Sequence, residues 1–522
     1  MVMMIFVLLA SAVLSAALLI LRTKPPPSSG SRAAPKTVPE VPGAWPVIGH
    51  LHLLGGQTPF CKILASLSDS VNSPIFRILL GVYPTVIISD PDLVRDCFTT
   101  HDKALASRPR CRAGIHLGYD YAAFGFLPYG PFWREIRKMT MVELLGGRRL
   151  EILKHVRSEE VEYFIGGLYG MCKGKRGEQS VRVVLSELLE HLSLNIILRM
   201  ISGRRYFVGA ELGEEGSHLR QVIKNYMYIS GLPAVSDFVP FMGWTDHMGT
   251  IRRMKKVAWE LDCIVDKWVE EHKAARKARG GKDSDNSDFI DVMLSVLGEN
   301  PVYGHPPENV IKGTITTIIV AGSDTTALNL TWTLSLLLNH EHALRRAQEE
   351  LDAVVGRERW VEEKDLQNLP YLQAIIKESL RLYPPGPTGV PHEATEDCVV
   401  NGYWIPKGTR IIVNLWKLHR DPSVWSDPEI FEPDRFMTTH SSTDTSGQHY
   451  EYVPFGSGRR SCPGSMLALQ VGHLTLGRLL QGFEIGRTSE VVDMTEGLGI
   501  NLPKATPLEA LVCPRLPSRL YE

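Results

Sequence analysis

Apolar residues recur every three or four positions along much of this chain. The pattern is clear over Pro131–Leu145, Ser186–Ile201, His342–Val355 and Leu372–Tyr383. This is the period of a helix with one buried face, and it predicts helices there. Short β-branched runs are fewer; Thr85–Ser89 and Arg410–Asn414 read as strands. The pattern predicts a mainly helical body with a small sheet part.

Two apolar stretches are longer. Met1–Leu21 carries no charged side chain, and Arg22 and Lys24 follow it. At ~1.5 Å per residue it reaches about 30 Å, the thickness of a bilayer's hydrocarbon core. It reads as a transmembrane anchor; a cleaved signal peptide would start with basic residues and have a shorter apolar centre. The following charges leave the C-terminal part on the cytosolic side. Seven prolines between Pro25 and Pro46 make a stiff hinge. Gly313–Leu338 has a single charge, Asp324, with five threonines and a serine before Ala327, plus Asn329. It reads as the central helix of a large core rather than a second span, because a mid-bilayer Asp is costly. Gly322 inside it needs a close neighbour, and Asp324-Thr325-Thr326 read either as back-bonded helix hydroxyls or as a proton relay.

Beyond the hinge the chain continues without a second linker. Arg276–Asp288 and Met437–His449 are polar breaks of surface-loop length. The 57 basic and 58 acidic residues nearly cancel, so no nucleic-acid partner is expected. Eight scattered cysteines contain no CxxC, which excludes zinc ribbons and a disulfide framework. The pair Glu378 and Arg381 stands at i, i+3, and from spacing alone it is a solvated helix pair.

Cys462 stands apart. It lies in "FGSGRRSCPG", ahead of a helical pattern over Met466–Leu480. Pro463 suits the first helical position, which puts Cys462 at the N-cap, where amides favour an anion. A buried inert thiol and a nucleophile both remain open. So does a metal thiolate, but no other cysteine lies within 50 residues, so the remaining ligands must come from a non-protein group. Haem supplies four nitrogens and leaves one axial place for the protein. Gly456-x-Gly458-x-x-Ser461 imitates a dinucleotide fingerprint, but no βαβ unit surrounds it.

Together these segments resemble the cytochrome P450 superfamily. Phe455, Gly458, Arg460, Cys462 and Gly464 match its haem segment F-x-x-G-x-R-x-C-x-G. "AGSDTT" (321–326) resembles its oxygen-activation motif, Glu378 and Arg381 its E-x-x-R pair, "FEPDRF" with Arg435 its partner segment, and Trp133 with Arg137 its W-x-x-x-R. The wording is most similar to plant microsomal A-type members, family eighty-two.

The resemblance implies the P450 fold behind one N-terminal transmembrane helix. The division becomes 1–21 signal anchor, 22–48 proline-rich hinge and 49–522 haem-thiolate catalytic domain. It implies haem b with Cys462 as axial iron ligand, and Phe455, Trp133, Arg137, His392 and Arg460 around the cofactor. His392 stands where many members carry arginine. Glu378, Arg381 and Arg435 become a buried structural network. Asp324 and Thr325 become catalytic residues, and Gly322 leaves room for dioxygen. Phe124, Phe126, Ala321, Val390 and Leu498 are the implied substrate pocket, apolar and suited to a lipophilic small molecule.

The implied activity is monooxygenation of a plant alkaloid, terpenoid, steroid or phenolic. Oxygen is the co-substrate, and a separate NADPH–cytochrome P450 reductase supplies electrons, with Arg134, Lys138 and Arg459 at its docking face. The implied location is the endoplasmic reticulum membrane, single-pass, with the catalytic domain cytosolic. A haem-thiolate isomerase or dehydratase working without reductase is an alternative, as is a non-catalytic haem sensor or carrier; the complete Asp324-Thr325 motif argues against both.

Overall fold

The computed structural model describes residues 35–173, 180–206, 213–242, 246, 248–279, 288–298 and 300–522. The run Met1–Leu21 and residues 22–34 of the hinge lie outside the described residues. Among the described residues no helix is long and apolar enough to cross a membrane.

Helices of eight residues or more are α1 (Phe60–Ser70), α2 (Pro91–Phe98), α3 (Pro131–Thr140), α4 (Lys154–Lys173), α5 (Leu185–Ser202) and α6 (Glu214–Ser230). They continue as α7 (Thr250–Ala278), α8 (Phe289–Leu297), α9 (Pro307–Asn339), α10 (Glu341–Val354), α11 (Pro370–Leu382) and α12 (Ser465–Gly482). Prolines open α2, α3, α9 and α11 at the first turn, where a missing N–H costs nothing. The pattern over Pro131–Leu145 predicts one helix, but α3 ends at Thr140 and widens into a π turn over Met141–Leu145. Gly146 stops it there: a Cβ at that position would sit 2.4 Å from the Met141 carbonyl oxygen.

The strands are β1 (Ile75–Leu80), β2 (Tyr83–Ile88), β3 (Val181–Val184), β4 (His392–Glu393), β5 (Cys398–Val400), β6 (Tyr403–Ile405), β7 (Arg410–Val413), β8 (Phe483–Arg487) and β9 (Glu509–Pro514). They form a four-stranded sheet β1-β2-β7-β4, a three-stranded sheet β3-β9-β8 and the hairpin β5-β6. The two strands expected from sequence pair with each other in parallel, Thr85 opposite Arg410 and Ile88 opposite Val413. Residues of β7 are buried throughout, as a strand covered on both faces requires. Asn401 and Gly402 turn the β5-β6 hairpin with φ of 42° and 85°, the backbone a two-residue turn demands.

α9 runs through the middle of the body. It is buried on nearly every side and packs along α5, with α7, α11 and α12 around it. Most of its buried hydroxyls bond within the helix; those of Thr314 and Thr316 have no hydrogen-bond partner among the described residues. Thr317 donates to Gly313 O at 2.8 Å, Ser323 to Ile319 O at 2.7 Å, Thr331 to Ala327 O at 2.8 Å and Ser335 to Thr331 O at 2.7 Å. This reconciles the apolar-all-round pattern of a core helix with its polar content. The mid-section of α9, α3, the start of α12 and the segments before β4 and α12 enclose one cavity.

Candidate active site

The loop Val453–Gly464 folds tightly before α12. Gly456 and Gly458 adopt φ of +69° and +67°, which L side chains rarely adopt. At Gly458 a Cβ would also lie 2.6 Å from the Asp102 carboxylate, to which Arg459 N donates at 3.1 Å. Cys462 N donates to Phe455 O at 2.8 Å and closes the loop. The sequence puts Cys462 at the helix cap. The structure corrects this: Pro463 and Gly464 form a turn, Gly464 is the cap, and α12 begins at Ser465. The amides still serve the sulfur. Burial raises the Cys462 thiol pKa, while the N–H groups of Gly464 and Ser465 and the Arg137 guanidinium oppose that rise. The Cys462 side chain is open to a cavity of about 510 Å³, within the range of small-molecule sites.

One end of this cavity is cationic. Arg108, Trp133, Arg137, His392 and Arg460 line it. Arg460 lies over the Trp133 ring at 4.2 Å and Arg137 at 5.4 Å. The guanidiniums bond to backbone carbonyls: Arg108 to Val390 and Pro391, Arg137 to Ser461, Arg460 to Ala106 and Leu127, at 2.6–2.8 Å. Among the described residues no carboxylate pairs with any of the three. The consequence is electrostatic. Burial and its two neighbours push Arg460 down to about 8; burial and Arg137 push Arg108 down to about 9. Buried like charges of this kind ask for an anionic partner.

His392 Nδ1 lies 2.7 Å from Leu105 O, so that nitrogen carries the proton and donates. Burial, Arg108 and Arg460 hold its pKa well below the usual value, and the ring is neutral. Carboxylates added beside the guanidiniums would reverse the second influence.

The rest of the cavity is mostly apolar. Phe124, Phe126, Ala321, Val390 and Phe455 line it. Leu498 does not. It is 47% exposed, because the loop turns at Gly497, whose N–H donates to Pro503 O; Ile500 and Asn501 face the cavity instead.

In α9, Thr325 Oγ1 donates to Ala321 O at 2.7 Å and lines the cavity. Asp324 is not a cavity wall; its carboxylate accepts a hydrogen bond from Asn501 Nδ2. Burial raises the Asp324 pKa, with Asn501 and Lys224 opposing. The neighbour closest to Gly322 is Ile197 of α5, whose flexible side-chain end would lie 2.8 Å from an added Cβ, and Gly322 itself lines the cavity. Asn329, one turn beyond Thr325, lines the cavity, and its buried Nδ2 has no hydrogen-bond partner among the described residues.

Glu378 and Arg381 are not a solvated pair. Both are fully buried, with Arg381 Nε 2.7 Å from Glu378 Oε2. Arg435 Nε donates to Glu378 Oε1 at 3.0 Å, and Glu432 N to the same oxygen at 3.0 Å. Arg381 also donates to the carbonyls of His419 and Pro428. The network ties α11 to the segment 426–435.

Sequence reasoning missed Arg108, Ile500, Asn501 and Asn329 as cavity residues. Arg108 alone left a signal, since three arginines stand in the five residues 108–112. No short-range pattern marks the other three.

An iron porphyrin brings what these walls lack: two carboxylates for the guanidiniums and a metal for the sulfur. The residues present fit that group, and fold and site are those of a haem-thiolate protein. The chain belongs to the cytochrome P450 family, whose model matches residues 39–508. It is 48% identical to cytochrome P450 CYP82J17 of Trigonella foenum-graecum, over 93% of each chain. It is 46% identical to strychnine-10-hydroxylase of Strychnos nux-vomica, over 95% of this chain and 94% of that one. It is 47% identical to xanthotoxin 5-hydroxylase CYP82C2 of Arabidopsis thaliana, over 92% and 94%. A zebra fish cytochrome P450 solved with abiraterone superposes with a TM-score of 0.69 at 25% identity, covering 88% of this chain and all of that one. The chain is therefore a cytochrome P450 monooxygenase, using haem iron, O₂ and electrons from NADPH delivered by a reductase.

Proposed function

We propose that this chain oxidises a lipophilic plant specialised metabolite, an alkaloid, terpenoid, steroid or phenolic, with hydroxylation as its main outcome. The observation that carries this is Cys462: its sulfur opens onto an apolar cavity whose cationic end suits the carboxylates of haem. The relatives' names support the substrate class, since they cover an alkaloid, a furanocoumarin and flavonoids. When bound, the haem supplies oxygen activation, with axial thiolate donation favouring O–O cleavage.

The chain's own residues do the rest. Arg108, Arg137, Arg460 and Trp133 would hold the propionates, and His392 lines the same end of the cavity with its Nδ1 committed to Leu105 O. Phe455 packs beside the cofactor. Phe124, Phe126, Ala321, Val390 and Ile500 exclude water and seat an apolar skeleton; Asn329 offers it or an internal water one donor. Thr325 presents its hydroxyl at the cavity wall and Asp324 supplies protons behind it. The network of Glu378, Arg381 and Arg435 keeps the cofactor-bearing core in register. In the overall reaction, substrate C–H, O₂, NADPH and H⁺ give the alcohol, water and NADP⁺.

The reading extends to the membrane. Residues 1–21 serve as a signal anchor in the endoplasmic reticulum, 22–48 as the hinge and 49–522 as a cytosolic catalytic domain beside its reductase. The charge-free run and the prolines support this. Exposed Arg134 and Lys138 stand on the reductase side, whereas Arg459 is ion-paired with Asp102.

The test is expression with a plant reductase and a panel of these classes, read by mass spectrometry. NADPH-dependent products from one class support the reading; products formed without NADPH would assign an isomerase instead. Cys462→Ala is expected to abolish the thiolate-type Soret band of the reduced CO complex, and retention of that band would sink the ligand assignment.

A further inference from the structure

The Asp324 carboxylate reaches the cavity only through a partner 177 residues away. Asn501 Nδ2 donates to its Oδ2, and Asn501 itself is a cavity wall. The loop carrying Asn501 is pinned on both sides. Leu502, the next residue, accepts a hydrogen bond at 2.8 Å from Trp332 Nε1, eight residues further along α9. Ile500, the preceding residue, is packed on the end of α6, where a Cβ on Gly231 would lie 2.8 Å from the Ile500 Cβ. The loop therefore lies along α9 for about two turns, wedged under α6, with its amide on the acid. Asp324 also feels the charge of Lys224 of α6, which is 2.8 Å from Glu190 of α5.

A buried carboxylate with so few partners needs one to stay ionised and one to fix its direction. Thr325 cannot do this, because its hydroxyl already donates to Ala321 O. We propose that Asn501 is a positioning residue for oxygen activation: it holds the Asp324 carboxylate at the cavity edge so that its proton is handed toward Thr325. The inference rests on the monooxygenase reading and assigns the loop 498–502 a part in proton delivery.

The test needs no substrate. Haem-loaded chain with reductase and NADPH reduces oxygen in two ways. O₂ + NADPH + H⁺ gives H₂O₂ + NADP⁺; O₂ + 2 NADPH + 2 H⁺ gives 2 H₂O + 2 NADP⁺. Prompt proton delivery favours water, so the peroxide released per NADPH consumed reports on Asp324. Asn501→Leu keeps the size of the side chain and removes the donor. The peroxide-to-water ratio is expected to rise about tenfold, the size of one charge-assisted hydrogen bond. Asn501→Asp sets a second carboxylate against the first and is expected to do at least as much. In an Asp324→Asn background Asn501→Leu should change nothing further. Infrared difference spectra should show a protonated carboxyl band at neutral pH in Asn501→Leu that is absent in Asp324→Asn. Equal ratios in parent and Asn501→Leu, or an undiminished effect in the Asp324→Asn background, overturn the assignment. The reduced-CO band of each variant confirms an intact haem site; its absence from the parent would instead defeat the underlying monooxygenase reading.

Discussion

Glu378→Gln tests whether the buried network or mere helix spacing sets the worth of the Glu378–Arg381 pair. The carboxylate accepts four hydrogen bonds, from Arg381 Nε and Nη2, Arg435 Nε and Glu432 N, at 2.7–3.0 Å. Glutamine keeps the shape but turns one acceptor into a donor and removes the charge facing two guanidiniums that are 0% and 5% exposed. Breaking a buried pair from one side costs about 3–5 kcal/mol. Unfolding entropy of ~2.1 cal/mol/K per residue over roughly 470 family-matched residues is about 1 kcal/mol/K. The melting midpoint should therefore fall by about 3–5 °C. The control is Asp92→Asn, which breaks an i, i+3 pair with Arg95 at 3.1 Å whose partners are 68% and 62% exposed. Such a pair is worth about 0.5 kcal/mol at most, so its midpoint should stay within about 1 °C. Differential scanning fluorimetry on both variants and the parent decides. Equal midpoints for Glu378→Gln and Asp92→Asn would refute the argument that burial, not spacing, gives this pair its strength.

Other outcomes follow from the same geometry. Arg108→Ala should speed haem loss to an acceptor apoprotein about tenfold, the size of one charged hydrogen bond, while the exposed neighbour Arg110→Ala leaves it unchanged. Ile500→Ala should alter the spectral affinity for a bulky aryl imidazole and Leu498→Ala should not, because Ile500 alone of the two lines the cavity. His419 is held neutral, its pKa pushed down to about 3 by burial, Arg381 and Arg420. The unfolded chain protonates this histidine near 6.5, so its contribution is present above that pH and is lost as pH falls from 6.5 toward 3. At pH 5.5 the loss from this group is about 1.4 kcal/mol, and the unfolding free energies from urea titrations at pH 7.5 and 5.5 should converge by that amount in His419→Gln. Thr325→Ala should retain haem but release more hydrogen peroxide per NADPH; fully coupled turnover would exclude its part in proton delivery.

The chemistry was legible where a function occupies one short stretch, and obscure where it needs two distant ones. The segment Phe455–Gly464 fits in ten residues, so its thiol, glycines and arginine could be read together; only the cap position shifted, by the two residues that Pro463 and Gly464 spend on a turn. The strands Thr85–Ser89 and Arg410–Asn414 were visible singly, but their parallel pairing is a tertiary fact. Spacing put Glu378 and Arg381 on one helix face and could not tell whether that face meets water, because burial is decided by the segment 426–435 some 50 residues on. The same reason hid Arg108 and Asn501. Each acts through a partner more than 170 residues away, Arg108 beside Arg460 and Asn501 on Asp324. Leu498 was misjudged for a subtler cause. A loop has no period, so one turn at Gly497 is enough to exchange which of three neighbouring apolar residues faces inward. Loop walls are thus where periodicity says least about which residues face the cavity. Substitutions at Ile500 and Asn501 should accordingly redirect the enzyme more readily than substitutions along α9, whose inward face is fixed by its helical period and by its hydroxyls' bonds to their own backbone.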